Sequence, residues 1–189
     1  MLQLSGSGSY VPDFHEGLRK GCDSCRMTQT EREKRFEDVY QDSWPAVFRY
    51  ALRRTSSYAD AQDVVVETFM TLWRHLDDVQ DPALPWLFGV ARRPVANRLR
   101  QRGREKSVLA RISETIVVAA SEDPPDGDDD LDGLFRALRR LKEDDREVLL
   151  LVAWEGLSHE EAGRALGCSR NAFTKRFMKA KSRLEALMQ

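Results

Sequence analysis

The sequence is poor in the residues that carry chemistry. Only three histidines and three cysteines occur in 189 residues. His15, His75 and His159 fall in a leader, a helical stretch and a capping motif, with no nucleophile grouping around any of them, so no catalytic site is expected. Cys22 and Cys25 form a C-x-x-C downstream of His15, which raises a zinc or redox reading. A tetrahedral site needs four ligands, and the remaining Cys168 lies in a different module, so no metal or cofactor is expected. No run approaches the roughly 20 apolar residues of a bilayer-crossing helix. The opening Met1-Leu2-Gln3-Leu4-Ser5-Gly6 lacks the charged-then-apolar order of a secretory signal, so a cytoplasmic protein with no membrane partner is expected.

Net charge is also nearly absent: 30 Lys+Arg stand against 31 Asp+Glu. That average hides strong segregation. Residues 86–111 hold eight bases (Arg92, Arg93, Arg98, Arg100, Arg102, Arg104, Lys106, Arg111) and one acid, Glu105. Residues 162–184 hold seven bases and no acid, while residues 121–132 between them hold seven acids and no base. Solvated helix faces would account for each cluster singly, but one-signed clustering on two separate segments points to a polyanionic partner.

Hydrophobic periodicity divides the chain into four parts, all-α where it is ordered. Residues 1–26 show no period and include Ser5-Gly6-Ser7-Gly8-Ser9, so 1–30 is read as a disordered leader, with Met27 a candidate second start. Residues 31–111 form a first helical module. Phe36, Val39, Tyr40, Val47, Phe48, Ala51 and Leu52 recur at three-and-four spacing, with a kink or fresh start expected at Pro45. Asp60 is the candidate cap of a second helix. There Val64, Val65, Thr68, Phe69, Leu72, Trp73 and Leu76 form the apolar stripe and leave Asp63, Glu67, Met70 and Arg74 outward. A loop over 77–85 precedes a third helix from Trp86, whose core stripe includes Leu87, Val90, Ala91, Val95 and Leu99. Residues 112–133 read as an acidic flexible linker, and 134–189 as a second small domain.

The second domain carries the clearest punctuation. Ser158-His159-Glu160-Glu161 is a capping box that fixes a helix start; Gly156 ends the preceding helix, Gly167 offers a left-handed turn, and Ser169 caps the next helix at once. Two helices joined so tightly, the second basic, form a helix-turn-helix whose second helix enters the major groove. With Phe173, Phe177, Ala180, Leu184 and Leu187 turned inward, Asn171, Thr174, Lys175, Met178, Lys179 and Ser182 form the reading face, beside Arg170 at the helix start. A basic amphipathic helix facing protein or solvent is the bland alternative.

At this point the two modules together resemble an extracytoplasmic-function sigma factor of the sigma-70 family, over roughly residues 36–187. Asp60-Ala61-Gln62-Asp63-Val64-Val65-Val66-Glu67-Thr68-Phe69 is similar to the region-two helix that grips the beta-prime clamp helices of RNA polymerase. Pro85-Trp86-Leu87-Phe88-Gly89-Val90-Ala91-Arg92-Arg93 is similar to the helix that opens and reads the minus-ten promoter element, and Gly156-Leu157-Ser158-His159-Glu160-Glu161-Ala162 through Ser169 to region four, which binds the minus-thirty-five element. The resemblance implies core RNA polymerase (clamp helices and beta flap), promoter DNA and an anti-sigma factor as partners. It implies Asp63 and Glu67 as polymerase contacts, and Arg92, Arg93, Asn97, Arg100 and Arg102 as backbone anchors near the minus-ten element. Trp86 and Phe88 are candidates for base stacking, although Trp86 sits on the apolar stripe with Val90. Gln62, Val66, Arg93, Pro94, Ala172 and Phe173 depart from the family's usual residues, and a kink or restart is expected at Pro94. A stand-alone regulator with a LuxR-type DNA-binding end remains the alternative, because the second module alone resembles both.

Overall fold

The computed structural model describes residues 27–55, 57–112 and 129–188, and of residues 105–112 and 129–132 the backbone alone. His15, Cys22, Cys25, the stretch 115–120 and the acidic run up to Asp128 lie outside the described residues. Every described element is a helix: α1 (Gln29–Thr55), α2 (Tyr58–His75), a single 3-10 turn (Leu76–Asp78), α3 (Leu84–Ile112), α4 (Asp129–Arg140), α5 (Glu143–Ala153), α6 (His159–Ala165) and α7 (Arg170–Met188). None is long and apolar enough to cross a membrane.

The apolar stripes predicted for α1, α2 and α3 meet in one core. Val47, Ala51, Val64, Leu72, Leu76, Leu87 and Ala91 are fully buried there. An aromatic layer of Phe36, Tyr40, Phe69 and Trp73 closes one end, with Tyr40 and Phe69 ring centroids 4.7 Å apart. Neither proline breaks its helix: α1 runs on through Pro45 and α3 through Pro94. The cap of α2 is Ser57, whose hydroxyl accepts the Asp60 amide at 3.3 Å, so the expected cap Asp60 lies instead in the first turn. Helix α4 begins at Asp129, earlier than the expected domain start at 134.

In the second domain the punctuation holds residue by residue. Gly156 ends α5 at φ +69° and Gly167 makes the turn at φ +65°. The capping box forms in both directions: the Ser158 hydroxyl accepts the Glu161 amide, and the Glu161 carboxylate accepts the Ser158 amide at 2.9 Å. Ser169 accepts the Ala172 amide at 3.3 Å to start α7. Phe173 and Ala180 are fully buried beneath α7.

The two domains do not stand apart. Their apolar residues form one continuous cluster, α3 lies against α6, and Tyr50 and Arg54 of α1 reach Glu147 of α5. A Cβ placed on Gly89 of α3 would sit 2.6 Å from the Ala165 carbonyl oxygen of α6, so glycine alone permits this backbone approach.

Candidate nucleic-acid interface

Most of the residues expected to form the reading face of α7 are open to solvent. Arg170, Asn171, Lys175, Met178, Lys179 and Ser182 are exposed, and Met178 has 58% of its surface open to solvent. Thr174 is half-buried, and its hydroxyl donates to the Arg170 carbonyl at 2.9 Å. The same Thr174 oxygen shares a hydrogen bond with His159 Nδ1 across 3.0 Å. The same imidazole packs on Phe173 and Phe177, with centroids 5.4 and 4.9 Å away. His159 therefore ties the start of α6 to the reading helix, a role the sequence does not disclose. Glu161 is held below its ordinary carboxylate range by the Ser158 hydroxyl and amide, which keeps the cap charged and closed.

On α3 the expected anchors separate into two groups. Arg93, Asn97 and Arg100 are exposed and continue into Arg104, a spacing of four, three and four that makes a single stripe along the helix. Arg100 donates to the Asn97 side-chain oxygen at 2.6 Å, so the stripe presents a preset cation beside an amide. Arg104 was passed over as an anchor, although its helical spacing from Arg93 marks it. Arg92 and Arg102 turn to other partners: Arg92 pairs with Asp144 of α5, and Arg102 with Asp60 at 2.6 Å and the Thr55 carbonyl. Phe88 is buried and stacks on Tyr50 with centroids 4.9 Å apart, so it is not presented to a base in this arrangement; Trp86 is half-buried against the core.

The outward face of α2 carries Gln62, Asp63, Val66, Glu67 and Met70, with Val66 and Met70 both more than half exposed. One guanidinium serves both carboxylates. Arg98 of α3 reaches Asp63 at 3.1 Å and Glu67 at 2.8 Å, so the acids are held at fixed spacing beside the two apolar side chains. Among the described residues no group of three or more metal-ligating side chains converges.

The comparisons bear on this arrangement directly. Residues 39–105 match the family described as Sigma-70 region 2, and residues 131–184 the one described as Sigma-70, region 4. The chain is 30% identical over 156 residues to the ECF RNA polymerase sigma factor SigL of Mycobacterium tuberculosis, covering 80% of this chain and 87% of that one. The chain belongs to the extracytoplasmic-function sigma factors of the sigma-70 family. This sigma factor is also 31% identical over 142 residues to the RNA polymerase sigma factor NccH of Alcaligenes xylosoxydans xylosoxydans, covering 69% and 74% of the two chains. Its fold is similar to the sigma factor RpoE of Bartonella quintana, solved in complex with the anti-sigma factor NepR. That match has a TM-score of 0.55 and 28% identity over 82% of this chain and 97% of that one. The sigma factor directs RNA polymerase to promoters, and the stand-alone regulator is set aside, because region 2 occupies the place its sensor domain would take.

Where the domains of the sigma factor meet, four charged or phenolic side chains come together out of solvent. The Tyr50 hydroxyl donates to Glu147 at 2.8 Å, Arg54 Nε meets the other Glu147 oxygen at 2.8 Å, and Arg54 Nη1 meets Glu155 at 2.9 Å. The Arg54 guanidinium also lies 3.6 Å from the Tyr50 ring centroid. Burial, then the Glu147 charge, pushes the Tyr50 phenol well above its ordinary range. Burial alone would lower Arg54, but Tyr50, Glu147 and Glu155 outweigh it and raise the group. Tyr50 thus stays protonated and Arg54 charged at neutral pH.

Proposed function

We propose that this sigma factor divides promoter recognition between its two basic faces and acts without catalytic chemistry of its own. In this reading Arg170, Asn171, Thr174, Lys175, Met178 and Lys179 of α7 read the minus-thirty-five element. Lys175 and Lys179 reach phosphates or guanine edges, Asn171 reaches bases, and Met178 meets a thymine methyl. The α3 stripe of Arg93, Asn97, Arg100 and Arg104 holds the backbone of the melting minus-ten strand, joined by Arg92 and Arg102 when their present partners release them. The 77–84 loop accepts an unstacked base.

Asp63 and Glu67, beside the exposed Val66 and Met70, grip the polymerase clamp. The second domain meets the beta flap, and the acidic linker runs through the polymerase toward the RNA path. The observation that carries this reading is the coincidence of two exposed, one-signed helix faces with the two matched regions. An anti-sigma factor as an additional partner is supported by RpoE, solved with NepR. A cytoplasmic location and the division into leader, two domains and linker belong to the same reading.

The test is binding of a labelled two-element promoter by the chain with core polymerase. Lys175→Ala should weaken use of the minus-thirty-five element, and Arg100→Ala should weaken opening near the minus-ten element with closed binding retained. Tight binding of duplex DNA by the chain alone, with no redirection of polymerase, would return the LuxR-type regulator.

A further inference from the structure

A segment that takes up an unstacked base needs one fixed shape and a charge that does not repel the strand. The segment between α2 and α3 supplies neither from its own residues. Leu76–Asp78 make a single 3-10 turn, and 79–83 form no regular element before α3 begins at Leu84. Val79 and Ala83 turn into the core, while Asp77, Gln80, Asp81 and Pro82 stay exposed. Asp77, Asp78 and Asp81 also give it the sign of charge that a phosphate backbone repels.

Two arginines at the start of α1 reach under this segment. Arg32 Nη1 pairs with Asp77 while its Nη2 donates to the Trp73 carbonyl in the last turn of α2, and the guanidinium lies 5.1 Å from the Trp73 ring centroid. Three residues on, on the same helix face, Arg35 donates to the Val79 carbonyl at 2.5 Å and lies 3.8 Å from the Asp81 carboxylate. The turn that carries both is itself fixed: the Thr28 amide donates to the Glu31 carboxylate at 2.8 Å, and the Glu31 amide to the Thr28 hydroxyl at 3.3 Å. With only 21% and 28% of their side chains open to solvent, Arg32 and Arg35 are committed to the segment above them.

We propose that Arg32 and Arg35 are positioning residues for promoter opening, which set the shape of the 77–84 loop from beneath and offset its charge so that its exposed side can take a base from the melting strand. The proposal rests on the reading of that loop as the acceptor of an unstacked base. Because Asp77 and Asp81 lie at the surface, their ion pairs add little to fold stability, and losing an arginine should show in opening more than in the melting temperature.

Two variants separate the contributions. Arg35→Met keeps the aliphatic stem and removes the donor to Val79. Arg32→Lys keeps the charge and loses the planar fork that spans Asp77 and Trp73. Neither residue belongs to the α7 reading face, the α3 stripe or the acids on α2.

The full chain with core polymerase is tested on an intact promoter duplex and on duplexes carrying an abasic site at each minus-ten position in turn. Opening is read by permanganate reactivity of unpaired thymines, with thermal unfolding as the check on folding. The abasic site that most weakens opening by the wild type marks the accepted base. Each variant should open the intact promoter about tenfold less than the wild type but that abasic duplex less than about twofold less, since without a base the shape of the loop matters little. Core affinity and the salt dependence of closed binding should not change. Folded variants that open the intact promoter as well as the wild type would overturn the proposal. So would equal losses on both templates, or loss of folding in both variants, which would make the role structural. A salt slope lowered by about 1 would overturn it too, by making the arginines direct phosphate contacts. Wild-type opening that no abasic site weakens would instead refute the base-accepting loop itself, and that control is read separately from the variants.

Discussion

Replacing Gly163 by alanine tests what fixes the helix-turn-helix. Gly163 lies inside α6, where alanine should favour the helix by about 1 kcal/mol. A Cβ there would meet the Cys168 carbonyl oxygen at 2.8 Å, against the roughly 3.4 Å of ordinary contact, so the turn must move by about half an ångström. It has little freedom to do so. The Cys168 amide donates to the Gly163 carbonyl at 2.9 Å, the Gly167 amide to Arg164 at 3.1 Å, and Phe173 locks the far side. Overpacking against backbone costs about 1–3 kcal/mol, which exceeds the propensity gain through most of that range. Gly163→Ala should therefore destabilise by up to about 2 kcal/mol, lowering the melting temperature by up to about 8 °C. The same exchange at Gly103 of α3, where no atom lies within 4 Å of the added methyl, should stabilise by up to about 1 kcal/mol. Thermal unfolding of both variants beside the wild type is the assay, and the opposite signs are the result. A Gly163→Ala protein as stable as the wild type would refute the claim that this close approach sets the angle between α6 and α7.

Other consequences can be checked as directly. Lys175→Ala and Lys179→Ala should each lower the slope of log affinity against log salt by about 1 for promoter duplex, while an unchanged slope would remove that residue from the phosphate contacts. Asp63→Lys should weaken core polymerase binding in pull-down, and Arg98→Ala should weaken it less, because it frees the two carboxylates without deleting them. Ser158→Ala should cost about 1 kcal/mol at pH 7 by denaturant titration. The Glu161 carboxyl is lowered from 4.5 in the folded chain, so its contribution is complete above that value and fades as pH falls through the folded one. The gap between Ser158→Ala and the wild type should accordingly narrow as pH falls below 4.5; a constant gap would separate the cap from Glu161.

The parts that were legible in sequence are those whose causes are local. Ser158 with Glu161, Gly156, Gly167 and Ser169 act within a few residues, and each forms the contact its spacing implies. The α2 cap was misplaced because Ser57 and Asp60 are both good capping residues three apart, and only the backbone shows that Ser57 stands outside the helix. Pro45 and Pro94 each suggest a fresh start when one helix is read alone, whereas both helices run on through them. The domain seam was not legible at all. Tyr50 and Glu147 lie 97 residues apart, and Arg53-Arg54 reads as a surface pair until Glu147 and Glu155 are brought to it. For the same reason Arg92 and Arg102 looked equivalent to Arg93 and Arg100, since charge and spacing do not reveal which of them another helix engages.

The most direct test of the whole account is to add the purified chain to core RNA polymerase from its own organism and sequence the transcripts started on fragmented genomic DNA. The account predicts new start sites, absent with core alone, that share two spaced upstream elements, with the upstream one lost when Lys175 and Lys179 are replaced by alanine. A chain that neither joins core nor changes where transcription starts would contradict it.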